Sequence, residues 1–218
     1  ISSGTVQTNL LVETSHKKCV FRYYENRSEY SVLFEIELLQ FLQKHGYPCP
    51  AIIENTCGEP MGTYRQKPFV IFEFIEGAHV ETPNAAQRNA LVKAIAKLNR
   101  LTHNYRSEYE AYRLNYNGET CRQLAQTQAK KIGDDNAAQK LQWLENELVS
   151  LQLPNSLPKG ICHCDFHFSN VLFNNNKLAA LLDFDDANYT YLAWDVLCLT
   201  EPFIPEFEWN TWQNFQPE

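Results

Sequence analysis

A carboxylate, an amide oxygen and a second carboxylate occur in this chain at a spacing with chemical meaning. The segment His163-Cys164-Asp165-Phe166-His167-Phe168-Ser169-Asn170 is followed, thirteen residues after Asn170, by Asp183 in Leu181-Leu182-Asp183-Phe184-Asp185. The arrangement fits H-x-D-x-x-x-x-N with a later D-F, a pattern that serves phosphoryl transfer. Moving a γ-phosphoryl group requires a carboxylate near the proton of an acceptor hydroxyl, and a magnesium ion bridging phosphate oxygens. Asp165 is the candidate for the first task. Magnesium takes hard oxygen ligands, so Asn170 and Asp183 are the candidates for the second, with ATP as the phosphate source. The same three residues could instead merely stabilise a loop and start a turn, as Asp and Asn often do. Zinc is a rival, because Cys162, His163, Cys164 and His167 crowd together. Against it, neighbouring strand residues point to opposite faces and no second Cys/His pair follows. His163 reads instead as a buried residue that braces the loop.

These groups need a frame. A strand over Val171-Leu172-Phe173, a turn at Asn174-Asn175-Asn176 and a strand over Leu178 to Leu182 would set Asn170 at the entrance of a hairpin and Asp183 at its exit, side by side. Upstream, Thr8 to Thr14 and Lys18 to Tyr24 read as an antiparallel hairpin. Tyr30 to His45 reads as an amphipathic helix stopped by Gly46, Pro48 and Pro50. Ala51 to Glu54 and Phe69 to Ile75 are further strands joined by a turn-rich stretch, and Gly77 closes the β-rich part. Ala85 to Thr102, Thr120 to Ile132, Asn136 to Leu151 and Tyr191 to Thr200 carry helical patterns. The expectation is an α+β fold of two lobes: residues 1–77 a small sheet with one helix that binds nucleotide, residues 78–218 a mainly helical lobe with the catalytic and acceptor sites.

In the first lobe Arg22 interrupts the apolar run Val20-Phe21-Arg22-Tyr23, and Glu35 sits on the helix that follows, with Glu37 as the alternative if the helical register differs. A strand cation paired with a helical carboxylate is how kinases hold the α- and β-phosphates. The alternative is that both lie on solvated faces. Ser3, Gly4 and Thr5 form a loop with one glycine just before the hairpin, a candidate phosphate cradle. Backbone groups of Glu73, Phe74 and Ile75 could take adenine edges, although a plain core strand is an equal reading.

The net charge of −7 over 218 residues argues against a nucleic-acid surface and suits a cationic or zwitterionic co-substrate. Seven scattered cysteines, several inside apolar runs, read as free thiols of a reducing, cytoplasmic setting. With no signal peptide or spanning segment legible, the Asn-x-Ser/Thr triplets at Asn26 and Asn188 carry no glycosylation meaning and no membrane partner is expected. The chain begins at Ile1 rather than Met, which suggests a piece of a longer protein.

Taken together, the residues resemble the aminoglycoside phosphotransferase, choline kinase and homoserine kinase superfamily across nearly the whole chain. Ser3-Gly4-Thr5 to Asn9 resembles its nucleotide loop, Val20 to Glu25 its third strand, and Phe74-Ile75-Glu76-Gly77 its hinge. Arg22 to Glu25, Tyr47-Pro48-Cys49-Pro50 and Leu192-Ala193-Trp194-Asp195-Val196 are most similar to the bacterial homoserine kinase branch. The resemblance implies a protein-kinase-like fold, ATP with magnesium, and transfer to the hydroxyl of L-homoserine, with aminoglycoside or choline-type acceptors as alternatives and a nucleotide-binding regulator without turnover as an alternative of another class. It also implies that Asp195 braces the catalytic loop. Departures include Arg22 for the common Lys, Cys164 for Ala or Gly, and Asp185-Asp186 after Phe184. Those two extra acids favour an amine-bearing hydroxylated acceptor.

Overall fold

The computed structural model describes residues 7–200 apart from 116, 152 and 155. Strands β1 (Thr8–Glu13) and β2 (Lys18–Tyr23) form the expected hairpin, with Thr8 opposite Tyr23 and Glu13 opposite Lys18. β2 pairs on its other side with β4 (Lys67–Glu73), which in turn pairs with the short β3 (Gly62–Tyr64) in a sheet of order β1-β2-β4-β3. β3 falls in the stretch expected to be a turn-rich connection. The two residues linking it to β4, Arg65 and Gln66, both have positive φ (47° and 64°), the geometry of a tight hairpin that Asn-Gly usually signals and Arg-Gln does not. Ala51 to Glu54 makes a single bridge, Ile52 to Phe72, rather than a full strand.

Helix α1 (Glu29–Lys44) starts where Ser28 Oγ accepts from the Ser31 N–H at 3.2 Å. Its buried face includes Val32, Glu35, Leu39 and Leu42, at the i, i+3, i+7 spacing of one helical stripe. That spacing carries a charged residue into the core.

Beyond Gly77 come α2 (Ala85–Leu101), opened by an Asn84/Gln87 capping box, and the helical pair α3 (Gly118–Ile132) and α4 (Asp135–Ser150). β5 (Lys159–Cys162) pairs antiparallel with β8 (Asn188–Tyr191), and β6 (Val171–Asn174) with β7 (Lys177–Leu181). The expected final helix is therefore shorter: Tyr191 ends β8, and α5 spans Ala193–Thr200. One core runs through both halves, from Phe34, Leu38, Val70 and Phe72 to Leu91, Leu98, Ile161, Phe166 and Phe184. Ala78 and Phe173 exchange two backbone hydrogen bonds of 2.9 Å, which ties the segment after Gly77 to the β6–β7 hairpin. Among the described residues no helix is long and apolar enough to cross a membrane.

Candidate active site

The β6–β7 hairpin turns at Asn175, whose φ of 55° is one that Asn tolerates. At its open end the Leu182 N–H donates to the Asn170 backbone carbonyl at 2.7 Å, so Asn170 sits opposite Leu182, the residue before Asp183, and the two candidate ligands lie one position apart across the hairpin. Asn170 Nδ2 donates to Asp165 Oδ2 at 2.6 Å and to the Asp165 carbonyl at 2.9 Å. Both partners are acceptors, which fixes the amide nitrogen on that side and leaves the side-chain oxygen of Asn170, Oδ1, as the group available to a cation. Asp165 itself is exposed.

The loop that carries Asp165 is held from beneath. Asp195, fully buried, accepts from the backbone N–H groups of His163 and Cys164, each at 2.9 Å. Burial raises its pKa against the opposing pull of His163 and these N–H groups. Trp194 Nε1 donates to the Cys164 carbonyl at 3.2 Å. His163 is also fully buried; its Nε2 lies 2.7 Å from the Leu182 carbonyl and its Nδ1 3.3 Å from the Asp165 N–H. A carbonyl can only accept and an amide N–H only donate, so the ring carries its proton on Nε2 and bridges the Asp165 loop to the strand that leads into Asp183. Phe184 packs edge-on against this ring at 4.7 Å. His163 is thus committed to bracing, and burial pushes the Cys162 and Cys164 thiols upward in pKa, away from the thiolate that a metal would need.

Arg22 faces inward rather than to solvent, with its side chain 11% exposed. Its Nη1 donates to Asp183 Oδ1 at 2.9 Å and more weakly to Glu35 Oε1 at 3.4 Å, while Nε donates to Asn9 Oδ1 at 2.9 Å. Glu35 also accepts from the buried Tyr24 hydroxyl at 3.0 Å. Burial outweighs the attraction of Arg22 and pushes the Glu35 carboxyl up to about 7. Glu37 lies elsewhere and accepts from Ser107 Oγ at 2.6 Å. A cleft of about 910 Å³ is lined by the polar Asn9, Arg22, Glu35, Asn170 and Asp183, by the apolar Val20, Phe72 and Leu172, and by Glu73, Phe74, Ile75 and Gly77, while Asp165 lies next to Asn170 outside this lining. Ser3, Gly4 and Thr5 lie outside the described residues.

The structure corrects the role expected of Asp185 and Asp186. Arg27 donates to both carboxylates, at 2.8 and 2.7 Å, so both are engaged within the protein and share one positive charge rather than standing free to face an acceptor. Arg27 and Arg113 are not legible as site residues in the sequence, since their partners lie more than 70 positions away. Asn170 and Asp183 together supply a neutral amide oxygen and a carboxylate, a hard-oxygen pair that fits magnesium.

A family model described as the phosphotransferase enzyme family matches residues 1–214. The chain belongs to this family. Within it, the homoserine kinase of Rhodopseudomonas palustris (strain BisB5) is 31% identical over 217 residues, covering 96% of this chain and 65% of the relative. The homoserine kinase of Beijerinckia indica is 29% identical over 221 residues, with 96% and 66% covered. The chain thus spans a little under two thirds of the length of these relatives. Among solved structures, amicoumacin kinase hAmiN in complex with AMP-PNP, Ca2+ and Ami superposes with a TM-score of 0.74 at 16% identity, over 98% of this chain and 67% of that one. The gentamicin-APH(2")-IIa complex gives 0.67 at 20% identity, over 91% and 68%. The expected protein-kinase-like α+β fold is therefore the fold of this family member.

Proposed function

We propose that this chain carries the nucleotide site and the phosphoryl-transfer centre of an ATP-dependent small-molecule kinase, with an alcohol as acceptor and L-homoserine first among the candidates. The observation that carries the reading is the chain of contacts from Asp165 to Asn170 by a side-chain hydrogen bond, and from Asn170 to Leu182, next to Asp183, by a backbone bond, beside a cleft lined by Asn170, Asp183 and Arg22. The homoserine kinases among its relatives support the choice of acceptor. In this reading residues 1–77 form the nucleotide lobe and residues 78–218 the catalytic and acceptor lobe, working in the cytoplasm.

Val20, Phe72 and Leu172 would enclose the adenine, with backbone groups from Glu73 to Ile75 taking its polar edge. Arg22, oriented by Glu35, would hold phosphate oxygens. Magnesium, held by the Asn170 amide oxygen and Asp183, would supply charge neutralisation on those phosphates. Asp165 orients the acceptor hydroxyl. As the acceptor oxygen bonds to the γ-phosphorus, the bond to the ADP oxygen breaks and the hydroxyl proton passes to Asp165. Asn170 already occupies Oδ2 of that carboxylate, which leaves Oδ1 to receive the proton.

The test is ATP consumption across homoserine, choline, methylthioribose and an aminoglycoside, run on wild type and Asp165→Asn. Homoserine-dependent turnover that disappears in the variant is expected. Turnover that survives in Asp165→Asn, or a silent panel despite nucleotide binding, overturns the assignment.

A further inference from the structure

Among the described residues, a dense set of charged contacts outside the groups assigned above surrounds the 3-10 turn Phe184–Asp186, immediately after Asp183. Asp185 is buried, and its carboxylate is gripped from the sheet-bearing half. Arg27 Nε donates to Oδ1 at 2.9 Å and to Oδ2 at 3.0 Å, and Arg27 Nη2 to Oδ2 at 2.8 Å. Gln7 Nε2 adds a donor to Oδ2 at 3.2 Å, and Arg27 Nη2 reaches Asp186 Oδ1 at 2.7 Å. Gln7 is itself anchored, its Oε1 accepting from the Glu25 N–H at 2.9 Å, in the same β2–α1 connection that carries Arg27. From the opposite side, buried Arg113 donates to the carbonyls of Phe184, Asp185 and Ala187 and to Ser31 on α1.

Asp183 needs such support. Its backbone is left-handed, φ 61° and ψ 66°, a conformation that Asp tolerates better than most residues with a Cβ but that still costs free energy and is kept more firmly where the surroundings hold it. Its carboxylate is 39% exposed and is tethered by Arg22. Arg22 is also the cation assigned above to the phosphates, a task that competes with its tether to Asp183. A desolvated ion pair adds little net stability over apolar packing of the same volume, so geometry is the better explanation for a two-point Arg27–Asp185 grip.

We propose that Arg27 is a positioning residue that, through Asp185, holds the Asp183 backbone so that the Asp183 carboxylate is set for a divalent cation when Arg22 turns to the nucleotide. This rests on the reading of Asp183 as a magnesium ligand. Partners that orient a ligand from behind characteristically change metal affinity by about ten- to a hundredfold when removed.

The test compares wild type, Arg27→Met and Arg27→Lys as full chains. Calorimetric binding of AMP-PNP is measured in EDTA and in magnesium, and amide exchange at residues 183–187 is followed without metal. In Arg27→Met, binding in EDTA is expected to stay at the wild-type value while the gain from magnesium falls about tenfold, and exchange at 183–187 rises about tenfold. Arg27→Lys, which keeps the charge but not the fork, should fall between the two, and it serves alone if the Met variant does not fold. Equal magnesium gains, or unchanged exchange at 183–187, overturn the role of Arg27. Wild type that binds AMP-PNP identically with and without magnesium overturns the magnesium reading itself, a different failure from the first.

Discussion

Replacing Glu35 with Gln tests whether a buried carboxyl next to Arg22 sets the pH response of the fold. Glu35 is 1% exposed, accepts from the Tyr24 hydroxyl and sits 3.4 Å from Arg22, and its carboxyl is pushed from 4.5 to about 7 by burial. A folded-state pKa above the unfolded value means that the folded protein binds the proton more tightly. Its stabilising contribution is complete below about pH 4.5 and is lost as the pH rises through about 7. At 1.36 kcal/mol per pKa unit the loss totals about 3 kcal/mol, most of it between about pH 5 and 8. Gln keeps the shape and an acceptor for Tyr24 but cannot titrate. Urea unfolding across that range should therefore show wild-type stability falling relative to Glu35→Gln by about 2 to 3 kcal/mol, with equal m-values. Two parallel curves, or a difference of the opposite sign, would refute the assignment of a raised pKa to this carboxyl.

Three further outcomes follow from the same contacts. Asp195→Ala leaves the N–H groups of His163 and Cys164 without an acceptor and should cost about 3 kcal/mol, read as a Tm drop of roughly 6 to 12 °C. Asp165→Asn, at an exposed position, should leave Tm within about a degree of wild type while transfer to any acceptor falls by about a hundredfold or more. Arg22→Lys loses the bond from Nε to Asn9 and should cost about 1 kcal/mol, as should Asn9→Ala. The double variant should cost clearly less than the sum of the two, and strict additivity in thermal unfolding would show that the contact contributes nothing.

Several features are legible in the sequence because their signals are local. Asp165, Asn170 and Asp183 announce themselves by residue type and spacing within a loop and a hairpin. The helices over Glu29–Lys44, Ala85–Leu101 and Asp135–Ser150 follow from apolar periodicity, with Gly46 and Pro48 marking the end of the first, to within a residue or two of where they begin and end. Even the inward face of Glu35 is a choice of helical register against Glu37. The end of β8 reads instead as the start of a helix, because its partner, β5, lies some thirty residues upstream and the four residues Asn-Tyr-Thr-Tyr carry no periodicity of their own. β3 is hidden because its positive-φ hairpin turn is built from Arg-Gln.

The acids after Phe184 mark the same boundary. The sequence by itself determined which groups exist for phosphoryl transfer and the order in which a hairpin must present them, since adjacent side chains and tight turns are governed by a few bonds of backbone. Whether Asp185 and Asp186 face a substrate or a guanidinium was decided only in three dimensions. Arg27 reaches Asp185 across 158 positions of chain, and a charge pairs with the opposite charge that folding brings within about 3 Å of it, however distant in sequence.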